Sequence, residues 1–145
     1  MNLRLDSAGA DVLLAHLRAA DAGFVPPLSQ RVDLADYARK LATHARRVEA
    51  WEGDTLVGLI AMYANDAAQG GFITNVSVLP SHHGQGIAGE LLRRTLALAA
   101  DLQLPRLRLE VYADNTAALA LYRRHGFQPE APATTGPTLF LHREL

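Results

Sequence analysis

The central feature of the sequence is the stretch His83-Gly84-Gln85-Gly86-Ile87-Ala88-Gly89, which joins a strand pattern to a helix pattern. Residues 72–79 before it are rich in β-branched side chains and predict a strand that Pro80 ends. Residues 86–101 carry apolar side chains at helical spacing and predict a helix. A glycine-rich turn between a strand and a helix brings backbone N–H groups and a helix N-terminus together. The stretch therefore predicts a site for an anion such as a phosphate.

The glycines of this stretch allow more than one interpretation. Gly84, Gly86 and Gly89 also match Gly-x-Gly-x-x-Gly, and Glu110 follows about twenty residues later at the end of the next predicted strand, as in NAD-binding domains. In those domains the first glycine follows the strand almost directly, whereas residues 80–83 intervene here. The motif also lies in the middle of the chain, after a hairpin. An NAD-binding domain is therefore the less favoured alternative, and an ordinary glycine-rich turn is another.

The remaining hydrophobic pattern predicts a mixed α/β fold. Strands are predicted at residues 3–5, 48–51, 56–63, 72–79, 106–112 and 138–142. Helices are predicted from a cap at Ser7 to about Gly23, from a cap at Asp33 through Leu41, over residues 86–101, and from a cap at Asp114 or Asn115 to Arg124, where Gly126 ends the last one. A strand, a helix and a second strand thus follow one another around the glycine stretch.

Length and composition exclude several classes of protein. The 145 residues suit one domain, and we expect residues 1–145 to form it. A net charge of −1 gives no basic surface for nucleic acid. The chain has no cysteine, which excludes disulfides and thiolate metal sites, and we expect no metal. No stretch reads as a signal peptide or an apolar span, so we expect a cytoplasmic protein with no membrane partner.

A second motif lies in residues 109–127, LEVYADNTAALALYRRHGF. Together with the glycine stretch it resembles the GNAT superfamily of acyl-CoA-dependent N-acyltransferases. The family signature Gln/Arg-x-x-Gly-x-Gly/Ala is matched at Gly86 and Ala88, while His83 departs from it at the first position. Residues 109–127 are similar to the family's series of a strand, an Asn, an Ala and a Tyr-x-x-x-Gly-Phe ending.

The resemblance implies a mixed α/β (α+β) fold with a central, mostly antiparallel sheet of six to seven strands, splayed between strands four and five, and about four helices. It implies acetyl-CoA as the acyl donor, with pantetheine in the splay and pyrophosphate on the glycine stretch. Backbone groups of strand four would pair with the pantetheine amides. The cofactor-binding residues implied are Val76, Val78, His83, Gly84, Gln85, Gly86, Ile87, Ala88, Gly89 and Asn115.

The family chemistry is direct attack of a primary amine on the thioester. Tyr122 matches the family's general acid, which protonates the departing thiolate. The base stays open, because residues 72–78 contain no carboxylate. Asn75 and Ser77 can hold a water molecule there, Glu110 can reach the splay from the neighbouring strand, and Asp66 can approach it from its loop.

The acceptor is also open. In relatives, the loops at residues 24–29 and 65–70 border the acceptor pocket, so Phe24 and Leu28 would form an apolar wall and Asp66 would receive a cationic amine. The acceptor would be the amine of a small molecule or a peptide. The main alternative is a non-catalytic CoA-binding or regulatory module, and a homodimer is compatible with the resemblance.

Overall fold

The computed structural model describes residues 1–130 and 136–145, in which seven strands and four α-helices follow one another. The strands are β1 (Asn2–Leu5), β2 (Arg46–Glu52), β3 (Thr55–Tyr63), β4 (Gly71–Val78), β5 (Arg106–Tyr112), β6 (Gln128–Pro129) and β7 (Thr138–Glu144). The helices are α1 (Ala10–Ala20), α2 (Leu34–His44), α3 (Ile87–Asp101) and α4 (Thr116–Arg124). The strands form one sheet in the order β1-β2-β3-β4-β5-β7-β6. Within the described residues only β4 and β5 pair in parallel, which confirms the predicted mixed, mostly antiparallel fold.

The sheet opens between β4 and β5. These two strands pair only at their beginnings, over residues Gly71 to Ile73 of β4. The register between β4 and β3 shifts at Thr74, which has no partner on β3. Such a bulge bends its strand, so the second half of β4 diverges from β5. The predicted splay is confirmed, and its closed end lies at Gly71.

Helices cover the sheet on both faces. Leu13 and Leu17 of α1 and Leu41 of α2 belong to one buried cluster. Leu91 of α3 and Leu119 of α4 belong to a second cluster on the opposite face. β3 is buried on both sides, which explains its nearly continuous run of apolar residues. The longest described helix, α3, has 15 residues, and no described helix combines the length and apolarity needed to cross a membrane.

Two predicted helix caps are confirmed. Asp33 precedes α2, and its Oδ1 accepts a hydrogen bond from the amide of Asp36 at 2.9 Å. Asn115 precedes α4, and its Oδ1 accepts from the amide of Ala118 at 3.2 Å. Asn115 is therefore the cap, and the alternative at Asp114 is wrong.

The predicted cap at Ser7 is wrong. α1 begins at Ala10, with Gly9 before it, and ends at Ala20. Ser7 instead donates from its amide and its hydroxyl to Oε1 of the buried Glu49, at 3.1 and 2.6 Å. A buried carboxylate needs such donors. Ser7 therefore donates to the distant Glu49 and does not cap the helix beside it.

Candidate active site

A cavity of about 520 Å³, here called the main cavity, lies at the open end of the splay. Its size falls within the range of about 300–1,000 Å³ that is usual for ligand sites. Its walls come from β4, the glycine stretch, the end of α1 and one side of α4. The residues from the predicted cofactor site that line it are Val76, Val78, His83, Gly84, Gly86, Ile87, Ala88 and Gly89. Gln85 and Asn115 belong to the predicted set but do not line this cavity.

The glycine stretch presents unpaired amides to the main cavity. Among the hydrogen bonds of the described residues, none is donated by the six backbone N–H groups from Gly84 to Gly89. Gly86 precedes α3 without a side-chain cap. Gly84 and Gly86 have φ values of 78° and 76°, and a Cβ at either position would meet nothing within 4 Å. The open space beside unpaired amides and a helix N-terminus fits a pyrophosphate group.

The backbone of β4 faces the splay at the two predicted positions. The amide of Leu79 donates to Val57 of β3 at 2.9 Å. Because backbone polar groups alternate between the two edges of a strand, those of Val78 and Val76 point to the opposite edge, into the splay. The ring Nε2 of His83 donates to the carbonyl oxygen of Val78 at 2.8 Å. This bond attaches the glycine stretch to β4 where the sequence departs from the family signature.

A second cavity of about 190 Å³, here called the side cavity, lies between β4 and β5. It shares Phe24 and Val76 with the main cavity, so the two spaces meet at these residues. Its polar wall includes Asn75, Glu110 and Arg31. Glu110 is the one carboxylate among its described lining residues. The Thr138 hydroxyl donates to that carboxylate at 2.8 Å.

Two residues predicted for the acceptor pocket lie elsewhere. Leu28 is buried in the cluster beneath α1 and α2 and lines neither cavity. Asp66 lies in the loop before β4, where its carboxylate accepts from the amide of Ala68 at 3.2 Å. That loop meets the sheet at the closed end of the splay, so Asp66 is separated from the side cavity. Phe24 is the predicted wall residue that does line both cavities.

Tyr122 lies in the buried core at the end of α4. The side chain is 7% exposed, and its ring centroid lies 5.9 Å from that of Phe127. Gly126, with φ 86°, ends the helix, while the Phe127 amide donates back to the Tyr122 carbonyl at 3.1 Å. This helix ending brings the two rings together.

The hydroxyl of Tyr122 has no hydrogen-bond partner among the described residues, and neither cavity is lined by this side chain. Burial raises the pKa of Tyr122 to about 12. The hydroxyl therefore stays protonated at neutral pH. Its role as the general acid stays a prediction.

A buried histidine beside β4 is not among the site residues predicted from the sequence. His16 is 3% exposed, and its Nε2 lies 2.8 Å from Oγ of Ser77. Ser77 Oγ in turn lies 2.8 Å from Oδ1 of Asn75. The available signal was the apolar spacing of α1, which places His16 on the same buried face as Leu13 and Leu17. The network gives Asn75 and Ser77 a specific partner at the site where a carboxylate is missing.

The comparisons with known proteins settle the family. The family model described as Acetyltransferase (GNAT) family matches residues 13–127. The chain belongs to this family. The resemblance to the GNAT superfamily is thereby confirmed. The NAD-binding alternative is wrong, because that fold needs a parallel sheet and the GNAT sheet has one parallel strand pair among the described residues.

Sequence relatives of this GNAT chain include acetyltransferases with different acceptors in their names. The N-alpha-acetyltransferase RimI of Mycobacterium tuberculosis is 35% identical over 131 residues, which cover 81% of this chain and 78% of that protein. The mycothiol acetyltransferase of Jonesia denitrificans is 36% identical over 78 residues, 54% of this chain. A putative ribosomal protein bS18-alanine N-acetyltransferase of Bacillus subtilis is 37% identical over 57 residues, 39% of this chain. The matches span only 25% and 38% of the last two proteins.

Solved structures share the fold of this GNAT chain. The PaiA N-acetyltransferase of Thermoplasma acidophilum in complex with coenzyme A has a TM-score of 0.75 at 14% identity, with full coverage of both chains. The ribosomal-protein-S18-alanine N-acetyltransferase of Escherichia coli has a TM-score of 0.78 at 18% identity, covering 99% of this chain and 94% of that one. At these identities the likeness concerns the fold alone.

Proposed function

We propose that the protein is an N-acetyltransferase that transfers the acetyl group of acetyl-CoA to a primary amine. The observation that carries this proposal is the meeting of two cavities at Phe24 and Val76, one ending on unpaired backbone amides and the other containing a carboxylate. Acetyl-CoA supplies an activated acetyl thioester to the amine. Because the family match extends over residues 13–127, we also propose that residues 1–145 form one acetyltransferase domain.

The main cavity would hold the acyl donor. The amides of residues 84–89 would bind the pyrophosphate oxygens, since they are unpaired and stand at a helix N-terminus. The backbone groups of Val76 and Val78 would pair with the pantetheine amides in the splay. A backbone N–H of β4 aimed at the thioester oxygen would stabilise the charge that develops there, an effect typically worth about 2.7–4 kcal/mol.

The side cavity would hold the amine. Glu110 is the carboxylate there, and it would attract the ammonium form of the acceptor. The guanidinium of Arg31 lies 5.7 Å from the ring centroid of Tyr112 in the same wall, and it would bind a carbonyl or carboxylate beyond the amine. The small volume of the side cavity suits an acceptor whose amine end is narrow. The names of the relatives support a peptide or protein α-amine as the acceptor.

Tyr122 would protonate the thiolate that leaves. A tyrosine with a pKa of about 12 is a weak acid, and an ordinary thiol has a pKa of about 8.5. The same dry environment that raises the tyrosine pKa also raises that of a buried thiol. Burial therefore raises both pKa values in the same direction, and the hydroxyl, which has no partner among the described residues, keeps its proton until the thiolate forms.

The test has two parts. Acetyl transfer to a peptide that begins with alanine is measured by the release of thiol, and the binding of acetyl-CoA is measured by calorimetric titration. We expect binding and turnover in the wild-type protein. Tyr122→Phe should lose about 10²–10⁴-fold in rate, as expected for a general acid, while acetyl-CoA affinity stays unchanged. Tyr63→Phe is the matched control, because Tyr63 ends β3 and packs on the cluster beneath α1 and α2, away from the cluster that contains Tyr122.

The possible results separate the alternatives. Acetyl-CoA binding without turnover on any amine would favour the non-catalytic CoA-binding module. Full turnover in Tyr122→Phe would remove Tyr122 from the mechanism. Failure to bind acetyl-CoA would overturn the proposed function.

A further inference from the structure

Three buried polar side chains form a continuous network on the face of the sheet covered by α1. Asn75 is 4% exposed, Ser77 is 7% exposed and His16 is 3% exposed. Asn75 lines the side cavity, and Ser77 lines the main cavity. His16 lines a third cavity of about 310 Å³ bounded by α1, the turn between β2 and β3 and the start of β3, here called the rear cavity. The network thus links the place where an amine would meet the thioester to the rear cavity beside α1.

The hydrogen bonds of His16 define how the network holds protons. Its Nδ1 lies 2.8 Å from the carbonyl oxygen of Leu56. A carbonyl oxygen only accepts, so Nδ1 carries a proton. In the neutral ring Nε2 is then an acceptor, and it accepts the hydroxyl proton of Ser77.

The network can also take up one more proton, on Nε2 of His16. When Nε2 of His16 is protonated it donates to Ser77, and the Ser77 hydroxyl then donates to Oδ1 of Asn75, which lies 2.8 Å away. In that state every group in the network has a partner. In the neutral state the single Ser77 proton goes to Nε2, so Asn75 Oδ1 receives no donor from Ser77, and rotation of the Ser77 hydroxyl toward Asn75 relates the two states.

Few charged groups surround the ring. The ionisable side chains that line the rear cavity with His16 are Asp11 of α1 and Asp54 of the turn between β2 and β3. β4 presents only the neutral Asn75 and Ser77. Burial lowers the pKa of His16 below its ordinary value of 6.5. The resting ring is neutral at pH 7 and can accept a proton.

We infer that His16, acting through the hydroxyl of Ser77, accepts the proton that the acceptor amine must lose before it attacks the thioester. The inference rests on the proposed function and names the route of one proton in it. The ammonium gives one proton to Ser77, whose own proton passes to Nε2 of His16. The amine nitrogen then bonds to the acetyl carbon, the carbon–sulfur bond breaks, Tyr122 gives its proton to the sulfur, and the second proton of the nitrogen restores Tyr122. His16 later releases its proton to water.

The geometry favours Ser77 over Glu110 for this proton. Ser77 follows Val76, the residue where the two cavities meet, and it lines the cavity assigned to the thioester. Glu110 lies on β5, on the other side of the splay, and is exposed. The position of Glu110 suits it to attract the ammonium form of the acceptor. His16 touches no substrate in this scheme and is a positioning residue.

The experiment compares His16→Gln and Ser77→Ala with the wild-type protein from pH 6 to pH 10. Acetyl-CoA and an alanine-initiated peptide serve as substrates. Gln keeps a donor and an acceptor but cannot take a proton. We expect kcat to fall at least about tenfold at pH 7, because general base contributions reach about 10²–10⁴-fold. Acetyl-CoA affinity should stay unchanged. His44→Gln, at the exposed end of α2, is the matched control.

The pH dependence distinguishes proton transfer from a structural role. An α-amine has a pKa of about 7.7–8.0, so it needs no base at pH 10. The loss in both variants should therefore shrink to within a few-fold of the wild type at pH 10. Ser77→Thr, which restores the hydroxyl, should recover most of the activity at pH 7.

Other results would overturn the inference. An equal loss at every pH would indicate a structural role, and wild-type kcat at pH 7 in both variants would show that the network moves no proton. If His16→Gln does not fold, Ser77→Ala and Ser77→Thr provide the same comparison with His16 intact. No turnover in the wild-type protein would overturn the proposed function and this role together, whereas turnover that is insensitive to the variants would overturn this role alone.

Discussion

Glu49 shows how one buried carboxylate fixes the beginning of the chain. It is fully buried, and it accepts hydrogen bonds from Ser7, from the amide of Ala8 at 3.0 Å and from Nε1 of Trp51 at 3.1 Å. Nε of Arg47 completes the set at 3.3 Å. The guanidinium also donates to carbonyl groups at the end of α2. One ion pair on β2 therefore holds the start of α1 and the end of α2.

We predict that Glu49→Gln lowers the free energy of unfolding by about 3–5 kcal/mol, because it leaves the buried charge of Arg47 without a counter-charge. Equilibrium urea denaturation measures the change. Glu52→Gln is the matched control on the same strand; its side chain is 63% exposed and forms a hydrogen bond with His82, and the cost should stay below about 1 kcal/mol. Equal costs for the two variants would contradict this account of the buried pair.

At the scale of the element, α4 is defined by its two ends. Asn115 caps the first turn, and Gly126 allows the tight ending that packs Phe127 on Tyr122. The helix is short, so each end matters for its position. The motif in residues 109–127 therefore has a structural basis in addition to its predicted contacts with the donor.

We predict that Asn115→Ala lowers the free energy of unfolding by about 0.5–2 kcal/mol through loss of the cap. Asn115→Asp, which keeps a capping oxygen, should restore stability. The predicted contact with acetyl-CoA is tested by titration of both variants. Weakened binding in Asn115→Asp at full stability would support the contact.

Unchanged acetyl-CoA binding in Asn115→Asp would mean that Asn115 only caps the helix. This outcome would agree with its position in the side cavity, outside the cavity assigned to acetyl-CoA. Asp33→Ala, which removes the cap of α2, provides the control. It should lower stability by a similar amount without any change in acetyl-CoA affinity.

Elements and caps with local signals could be predicted from the sequence. The hairpin of β2 and β3 follows from turn residues at positions 52–54, and the Asp33 cap from its place before an apolar stripe. The glycine stretch could also be predicted, because its requirement for unpaired amides is local. The splay was expected from the resemblance, and the bulge at Thr74, which has no register partner on β3, gives its physical cause.

Features that depend on distant residues could not be predicted. The bond between His16 and Ser77 joins positions 61 residues apart, and nothing in the local pattern of α1 indicates it. Asp66 carries a negative charge that would attract a cationic amine, yet its position before β4 places it at the closed end of the splay. Leu28 is apolar in a loop and turns into the core. In each case tertiary packing determines the position.

At the scale of the whole molecule, the sheet lies between two buried layers, one with the partly buried Tyr37 and the other with the buried Tyr122. Tyr37 of α2 donates its hydroxyl proton to the carbonyl oxygen of Thr74 at 3.0 Å, on the face covered by α1 and α2. Tyr122 lies in the cluster on the opposite face. Burial raises the pKa of each to about 12, from an ordinary value of 10. Both layers therefore depend on a neutral tyrosine.

We predict that this dependence destabilises the protein in alkali. Between pH 10 and pH 12 the unfolded chain loses these two protons while the folded chain keeps them, so the free energy of unfolding falls as the pH rises. The stabilisation is complete below pH 10, and each tyrosine accounts for a loss of about 2–3 kcal/mol by pH 12. Urea denaturation at pH 9, 10 and 11 measures the slope. Tyr37→Phe and Tyr122→Phe should each flatten it, and the double variant should flatten it most; a slope that is the same in all four proteins would show that other groups govern alkaline unfolding.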